Sequence, residues 1–306
     1  MFLRGKYRSN LYVGELATVP GRLRQLRALT DDETYTVPLD WTRDSRTVVS
    51  MSNRDGQCRA YKQDLNSDSP HVITSGPGSQ TNPRLSPDGE HVIYWQTGAP
   101  EYPTPQLMRM PLAGGAPHKV FTGDAEVFLC SRTAGGLCVL TERKGNTSVL
   151  SLFDPLNGRI AKVLNLPRLP GNATISPDGR HIAFVLPSLP HNRIRVINLN
   201  AITEQEITVS DAQELESLDW SADGTGFFSG DVRSDSTRLL RIDRSGASSL
   251  LWMQPRAYEI TSHSTLQVLW TEPGGYQIWG IPSPDGRYLA SYKPTLSANV
   301  WMVENP

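Results

Sequence analysis

Ser86-Pro87-Asp88-Gly89, Ser176-Pro177-Asp178-Gly179 and Ser283-Pro284-Asp285-Gly286 are one tetrapeptide written three times. Ser221-Ala222-Asp223-Gly224 and Thr42-Arg43-Asp44-Ser45 are eroded copies. Asp44 to Asp88 spans 44 residues, Asp178 to Asp223 spans 45, and the 90 between Asp88 and Asp178 hold two periods. A further copy is due near 133, where Arg132-Thr133-Ala134-Gly135 has lost both Pro and Asp. A period in the mid-forties is the length of one four-stranded propeller blade. The turn markers then fall near 44, 88, 134, 178, 223 and 285.

Each repeat reads as strands around that turn. A short run such as Asn82-Pro83-Arg84-Leu85 leads into it. Pro presets φ, Asp bonds its own backbone, and Gly takes positive φ without steric cost. An apolar strand follows, as in His91-Val92-Ile93-Tyr94-Trp95 or His181-Ile182-Ala183-Phe184-Val185. Third and fourth strands come after it, as in Ile194–Leu199 and Glu206–Val209. β-branched and aromatic residues in short runs favour strand over helix, and no amphipathic helix of ten residues stands out.

The two ends predict closure. Asn10–Leu16 reads as a third strand and Leu26–Thr30 as a fourth, while Asn299–Glu304 reads as another third strand with no fourth after it. An N-terminal strand completing the last blade removes the open sheet edges. The expected fold is therefore all-β: a single six-bladed β-propeller domain over residues 1–306, with four-stranded antiparallel blades. Seven blades stay open as the alternative, because Asp223 to Asp285 spans 62 residues. The excess is assigned to an insertion over 255–276, either extra strands or a hairpin on one rim.

Composition bounds the function. The chain has 306 residues and a net charge of −1, so no global field favours nucleic acid. Arg4, Lys6, Arg8, Arg22, Arg24 and Arg27 cluster near the start and read as a solvated edge. No apolar run reaches membrane-spanning length and no signal peptide precedes the first strands. The expected location is cytoplasmic, or extracytoplasmic if the chain belongs to a membrane-anchored parent. Cys130 and Cys138 flank a predicted hairpin around Gly135-Gly136 and read as two small buried thiols, a disulfide being the alternative.

Leu85-Ser-Pro-Asp-Gly89 before an apolar strand, then a strand like Asn10-Leu-Tyr-Val13, then a strand ending Leu29-Thr30, resembles the TolB-type WD-like β-propeller repeat over nearly the whole chain. Asn10–Leu16, Asp40–Ser45, Pro83–Gly89, Trp279–Gly286 and Ser297–Asn305 are also similar to the C-terminal propeller halves of acidobacterial-type serine/threonine kinases and winged-helix regulators. That resemblance implies a sensor or scaffold module behind an output domain. No kinase loop or DNA-binding helix is present, so the chain is expected to be a detached C-terminal part.

No catalytic constellation stands out. There is no Gly-x-Ser-x-Gly elbow, His-Glu-x-x-His, Cys-x-x-Cys or P-loop, so no catalytic residue, metal site or cofactor is assigned. His91 and His181 share one blade position and read as repeat residues, and the Asp-Gly aspartates read as turn caps rather than calcium ligands. Asn146-Thr147-Ser148 and Asn172-Ala173-Thr174 are read as chance matches to the glycosylation pattern.

The central channel remains. Counting back two residues from each turn serine places Asp40, Arg84, Cys130, Thr174, Asp219 and Ile281 on the innermost strands, with Asn82 and Asn172 nearer the entrance. Asp40, Asn82, Arg84, Asn172, Thr174 and Asp219 are the candidate ligand-binding set, and mutual bonding with trapped water is the structural alternative. Trp41, Leu85, Ile175 and Trp220 should wedge between blades. Tyr102, Tyr258 and Tyr276, on the 97–106 loop and the insertion, are candidate rim contacts. The expected function is a non-enzymatic propeller that binds a protein, peptide or small ligand, as a monomer or part of a larger signalling chain. Alternatives are a propeller lyase or hydrolase, an accessory propeller of a peptidase, and a fragment with no independent role.

Overall fold

The computed structural model describes residues 2–16, 23–101, 103–123, 125–156, 158–167, 173–255 and 279–301. All regular structure among them is β, in six four-stranded antiparallel sheets. Numbered in chain order, the innermost strands are Thr36–Trp41 in blade 1, Ser79–Leu85 in blade 2 and Ala125–Cys130 in blade 3. Thr174–Ile175, Asp219–Trp220 and Gly280–Pro282 follow in blades 4, 5 and 6. The fold is a six-bladed β-propeller.

Blade 6 closes the ring with two strands from each end of the chain. Gly280–Pro282 pairs with Tyr288–Trp301, which pairs with Phe2–Leu16, which pairs with Leu23–Ala28. The central ladder runs in unbroken register from Phe2↔Trp301 to Glu15↔Tyr288. The expected separate third strand at Asn299–Glu304 is thus corrected: through Trp301 it continues the second strand. Nothing between Tyr288 and Trp301 reverses the chain, and Asn10–Leu16 already fills the third position. The 255–276 segment, Pro255 aside, lies outside the described residues.

The turns work as their chemistry dictates. Ser176 Oγ donates to Asp178 Oδ1 at 2.5 Å, and Arg180 N donates to the same oxygen at 3.0 Å. Ser176 Oγ also accepts His181 N at 2.9 Å, and His91 N bonds Ser86 Oγ in the same way at 3.0 Å, which makes both histidines repeat residues. Gly89, Gly179, Gly224 and Gly286 sit at φ 70–73°, a region closed to most side chains. Blade 1 has Ser45 there, at φ 59°, and the hydroxyl earns its place by accepting Asp285 N from blade 6 at 3.1 Å.

Between blades the contact is apolar. Trp41, Leu85, Ile175 and Trp220 are all buried, and each joins a cluster that packs neighbouring sheets together. Trp41 also donates its Nε1 to Ile281 O at 2.9 Å, which stitches blade 1 to blade 6.

The turn carboxylates tie stability to pH. Burial opposes the charge of Asp88, Asp178, Asp223 and Asp285, but the hydroxyl and amide donors outweigh it and hold each pKa below the usual 3.8. A carboxylate depressed in the folded state contributes stability above the unfolded pKa and loses it as pH falls through the folded one. The melting temperature should therefore drop between about pH 4 and pH 2. Asp178→Ala should cost about 1 kcal/mol in urea unfolding at pH 7 and flatten part of that acid limb.

Candidate functional site

The innermost strands of successive blades are cross-stitched by side chains. Asp40 Oδ1 accepts its own neighbour Trp41 N at 2.8 Å, and its Oδ2 accepts Leu85 N of blade 2 at 2.9 Å. Arg84 of blade 2 donates back to Leu39 O of blade 1. Thr174 Oγ1 of blade 4 lies 3.5 Å from Asp219 Oδ1 of blade 5. These residues stand at the ends of the inner strands next to the turns, so the stitching rings one end of the channel.

Arg132 fills that ring. Its Nη2 donates to Asp219 Oδ2 at 3.1 Å and its Nε lies 3.6 Å from Asp40 Oδ1. Its Nη1 reaches Pro282 O at 3.4 Å. One guanidinium from blade 3 thus touches blades 1, 5 and 6 across the axis. Arg84 stacks over Trp279, 5.3 Å from the ring centre, and completes a cluster of two arginines and two aspartates with no net charge. The space left at their centre is about 30 Å³, lined by Asp40, Arg84, Arg132, Thr174, Asp219 and Trp279 among others. That is room for a water molecule, not for an organic ligand.

The electrostatics follow from burial. Asp219, with 6% of its side chain exposed, is pushed up by desolvation, while Arg132 and Arg84 hold it charged. Desolvation pulls Arg84 below its ordinary value against the pull of Asp40 and Asp219. For Arg132 burial also works against the charge, but Asp219 and Asp40 win and lift it above the usual guanidinium value. The cluster is therefore a mutual neutralisation, the arrangement that lets charges sit out of water.

Of the sequence candidates, the structure brings together Asp40, Arg84, Thr174 and Asp219. Asn82 is not part of the cluster: it is exposed, at φ 51°, nearer the other mouth. Asn172, Tyr102, Tyr258 and Tyr276 lie outside the described residues. Sequence reasoning missed Arg132. The repeat count put Arg132 at the serine position, but Ser131 holds it, its N bonding Leu137 O as Ser86 N bonds His91 O, so Arg132 falls one place further, where the other turns carry Pro87, Pro177 and Pro284. Arg43 stands at the same position in blade 1 and reaches Pro87 O of blade 2 instead.

The cysteine reading also needs correction. Cys130 and Cys138 are directly opposite in adjacent strands, Cα atoms 4.0 Å apart, and form a disulfide. The hairpin they flank, Ser131–Leu137, is one residue longer than its counterparts and has no Ser–Asp bond, so the cross-link stands where the turn chemistry is missing. Cys58 is free. Among the described residues no group of three His, Cys, Asp or Glu side chains has the geometry to hold a metal ion.

No family model and no curated protein matches this sequence. Solved structures do. A protein assigned as TolB from Agrobacterium tumefaciens aligns with TM-score 0.67 at 17% identity, over 94% of this chain and 99% of its own. TolB from Acinetobacter baumannii gives 0.59 at 19%, over 78% of this chain and 62% of its own. An oligogalacturonate lyase from Vibrio parahaemolyticus gives 0.53 at 13%, over 92% and 78%. At these identities the likeness is one of fold: the chain is a propeller similar in fold to the TolB structures.

If the cluster is structural, removing one charge must leave its partner stranded. Asp219→Ala and Arg132→Ala should each cost about 3 kcal/mol in chemical denaturation. The double variant should cost less than the sum, with a coupling above about 1 kcal/mol. Losses near zero would show the charges to be solvated and free for a ligand.

Proposed function

We propose that this protein is a non-enzymatic binding ring that engages a protein, peptide or small ligand from its rim loops and outer channel mouth rather than through its axis. The observation that supports this is the self-neutralised Arg84–Arg132–Asp40–Asp219 cluster. Each charge there is already committed, so the cluster offers neither a free acid–base pair nor space for a substrate. A rigid ring with variable loops is suited to presenting contacts, because the strands hold shape while the loops change. The sequence resemblance to propeller halves of kinases and winged-helix regulators supports reading the ring as a sensor or scaffold within a signalling protein.

The 97–106 loop is the contact to test. Captures with the wild-type chain, with residues 101–104 deleted and with Arg132→Ala should be compared by quantitative mass spectrometry, after each protein's melt confirms folding. Partners lost with the loop deletion and retained with Arg132→Ala support the reading. Equal recovery from the loop deletion and the wild type removes that loop. A lyase or hydrolase activity that Asp219→Asn abolishes, in a chain that still folds, would replace binding with catalysis.

A further inference from the structure

The one disulfide among the described residues closes the hairpin that carries Arg132. Cys130 ends the innermost strand of blade 3 and lines the axial cavity beside Asp40, Arg132 and Asp219. Cys138 begins the next strand and is fully buried, in one cluster with Phe128, Leu140 and Phe153. A single covalent bond thus links the packed interior of blade 3 to the strand end that delivers the plug.

The other five turns do without such a bond. In each a hydroxyl donates to the turn aspartate: Thr42 to Asp44, and Ser86, Ser176, Ser221 and Ser283 to theirs. Ser131 Oγ is buried and has no hydrogen-bond partner among the described residues, so the serine of blade 3 anchors nothing. Besides the disulfide, its hairpin is held by Ser131 N to Leu137 O at 2.9 Å, Gly136 N to Thr133 O at 2.9 Å and Thr133 Oγ1 to Pro177 O at 2.6 Å. The turn that positions the plug is therefore the one whose lock a redox reaction can open.

Opening it has a direction. Two thiols need more room than one disulfide, because nonbonded sulfurs stay at van der Waals separation. Cys138 has no space to give way inside a close-packed cluster. Cys130 has the cavity on its other side, so it yields, and Arg132 two residues further on moves with it. Arg132 holds the axis through Asp219 at 3.1 Å, Pro282 O at 3.4 Å and Asp40 at 3.6 Å, the last two at the far limit of such contacts. A small displacement of the strand end breaks them.

We propose that Cys130–Cys138 is a redox latch on the axial plug. Oxidised, it keeps Arg132 in the ring. A dithiol reductant opens it in two exchanges. The first thiolate bonds to Cys130 Sγ and expels Cys138 as a thiolate, and the second thiol of the reductant then releases Cys130. Two electrons and two protons pass to the pair, and the reductant leaves as a cyclic disulfide. Arg132 withdraws towards the rim, Asp40 and Asp219 keep Arg84 as their one cation, and the axis turns from neutral to acidic. Cys58 lies in blade 1, between the strands Thr47–Ser52 and Arg59–Asp64, so re-oxidation restores the same pair. The latch is independent of the 97–106 loop.

The test is arginine labelling of the full chain with phenylglyoxal, read residue by residue by peptide mass spectrometry, before reduction, in dithiothreitol and after re-oxidation. Thiol tagging of the denatured chain should count Cys58 alone before reduction and all three cysteines after it. Labelling of Arg132 should speed up tenfold or more on reduction and fall back once the disulfide has reformed. Arg238, held by Asp231 at 2.7 Å in blade 5, should label at one rate throughout. The proposal is overturned by an Arg132 rate that ignores reduction, by a rise that Arg238 shares, which would mark a staple for the whole fold, or by three free thiols before any reductant is added.

Discussion

A ring of blades has no terminal cap, so everything in this molecule depends on the ladder that joins its two ends. Each sheet covers its apolar faces only with its neighbours. Without Phe2–Leu16 beside Tyr288–Trp301, the outer strand Leu23–Ala28 would have no sheet, and Leu11, Val13 and Ala290 would lose the packing of their cluster. Two strands are contributed from each end. The split therefore falls in the middle of the blade, where the longest unbroken register holds it.

Closure brings six inner strands to an axis, and an axis is an awkward place. Strands of adjacent blades do not share a backbone ladder there, so their exposed polar groups need side chains. Asp40 meets that need for two amides at once, one in its own blade and one in the next. A buried carboxylate then calls for a cation, and a second one, Asp219, calls for the same. Arg132 answers both because a guanidinium presents several donors in a plane. The plugged axis is thus a consequence of the way the blades are stitched.

The periodic part of this structure was readable in the sequence. Five turns with an aspartate fixed the phase, and counting back from them put Asp40, Arg84, Thr174 and Asp219 on the inner strands. Trp41 and Trp220 landed between blades for the same reason. What escaped reading was aperiodic. Arg132 sits in a turn that had lost its marker and is one residue longer, so counting by the repeat put it at the serine position that Ser131 holds. Tyr288–Trp301 was split into two strands because its last residues look like a third strand in isolation. Its pairing with residues 2–15 is non-local and leaves no trace in either segment alone. The Cys130–Cys138 bond depended on the register of one hairpin, which length alone left open.

This division between periodic and aperiodic residues bears on where function is found. A residue kept in every blade is explained by the turn or the wedge it serves, and His91 and His181 are of that kind. Function must come from what distinguishes one blade from the next. In the turns those departures are Arg43, Ser45 and Arg132, together with the arginines that follow Asp44 and Asp285. Arg43 and Ser45 are each engaged with a neighbouring blade, and Arg132 with blades across the axis. Arg46 and Arg287 line one cavity at the seam of blades 6 and 1, where Arg287 Nε lies 3.8 Å from Asp285 Oδ2, so there too a departure from the repeat falls where two blades meet.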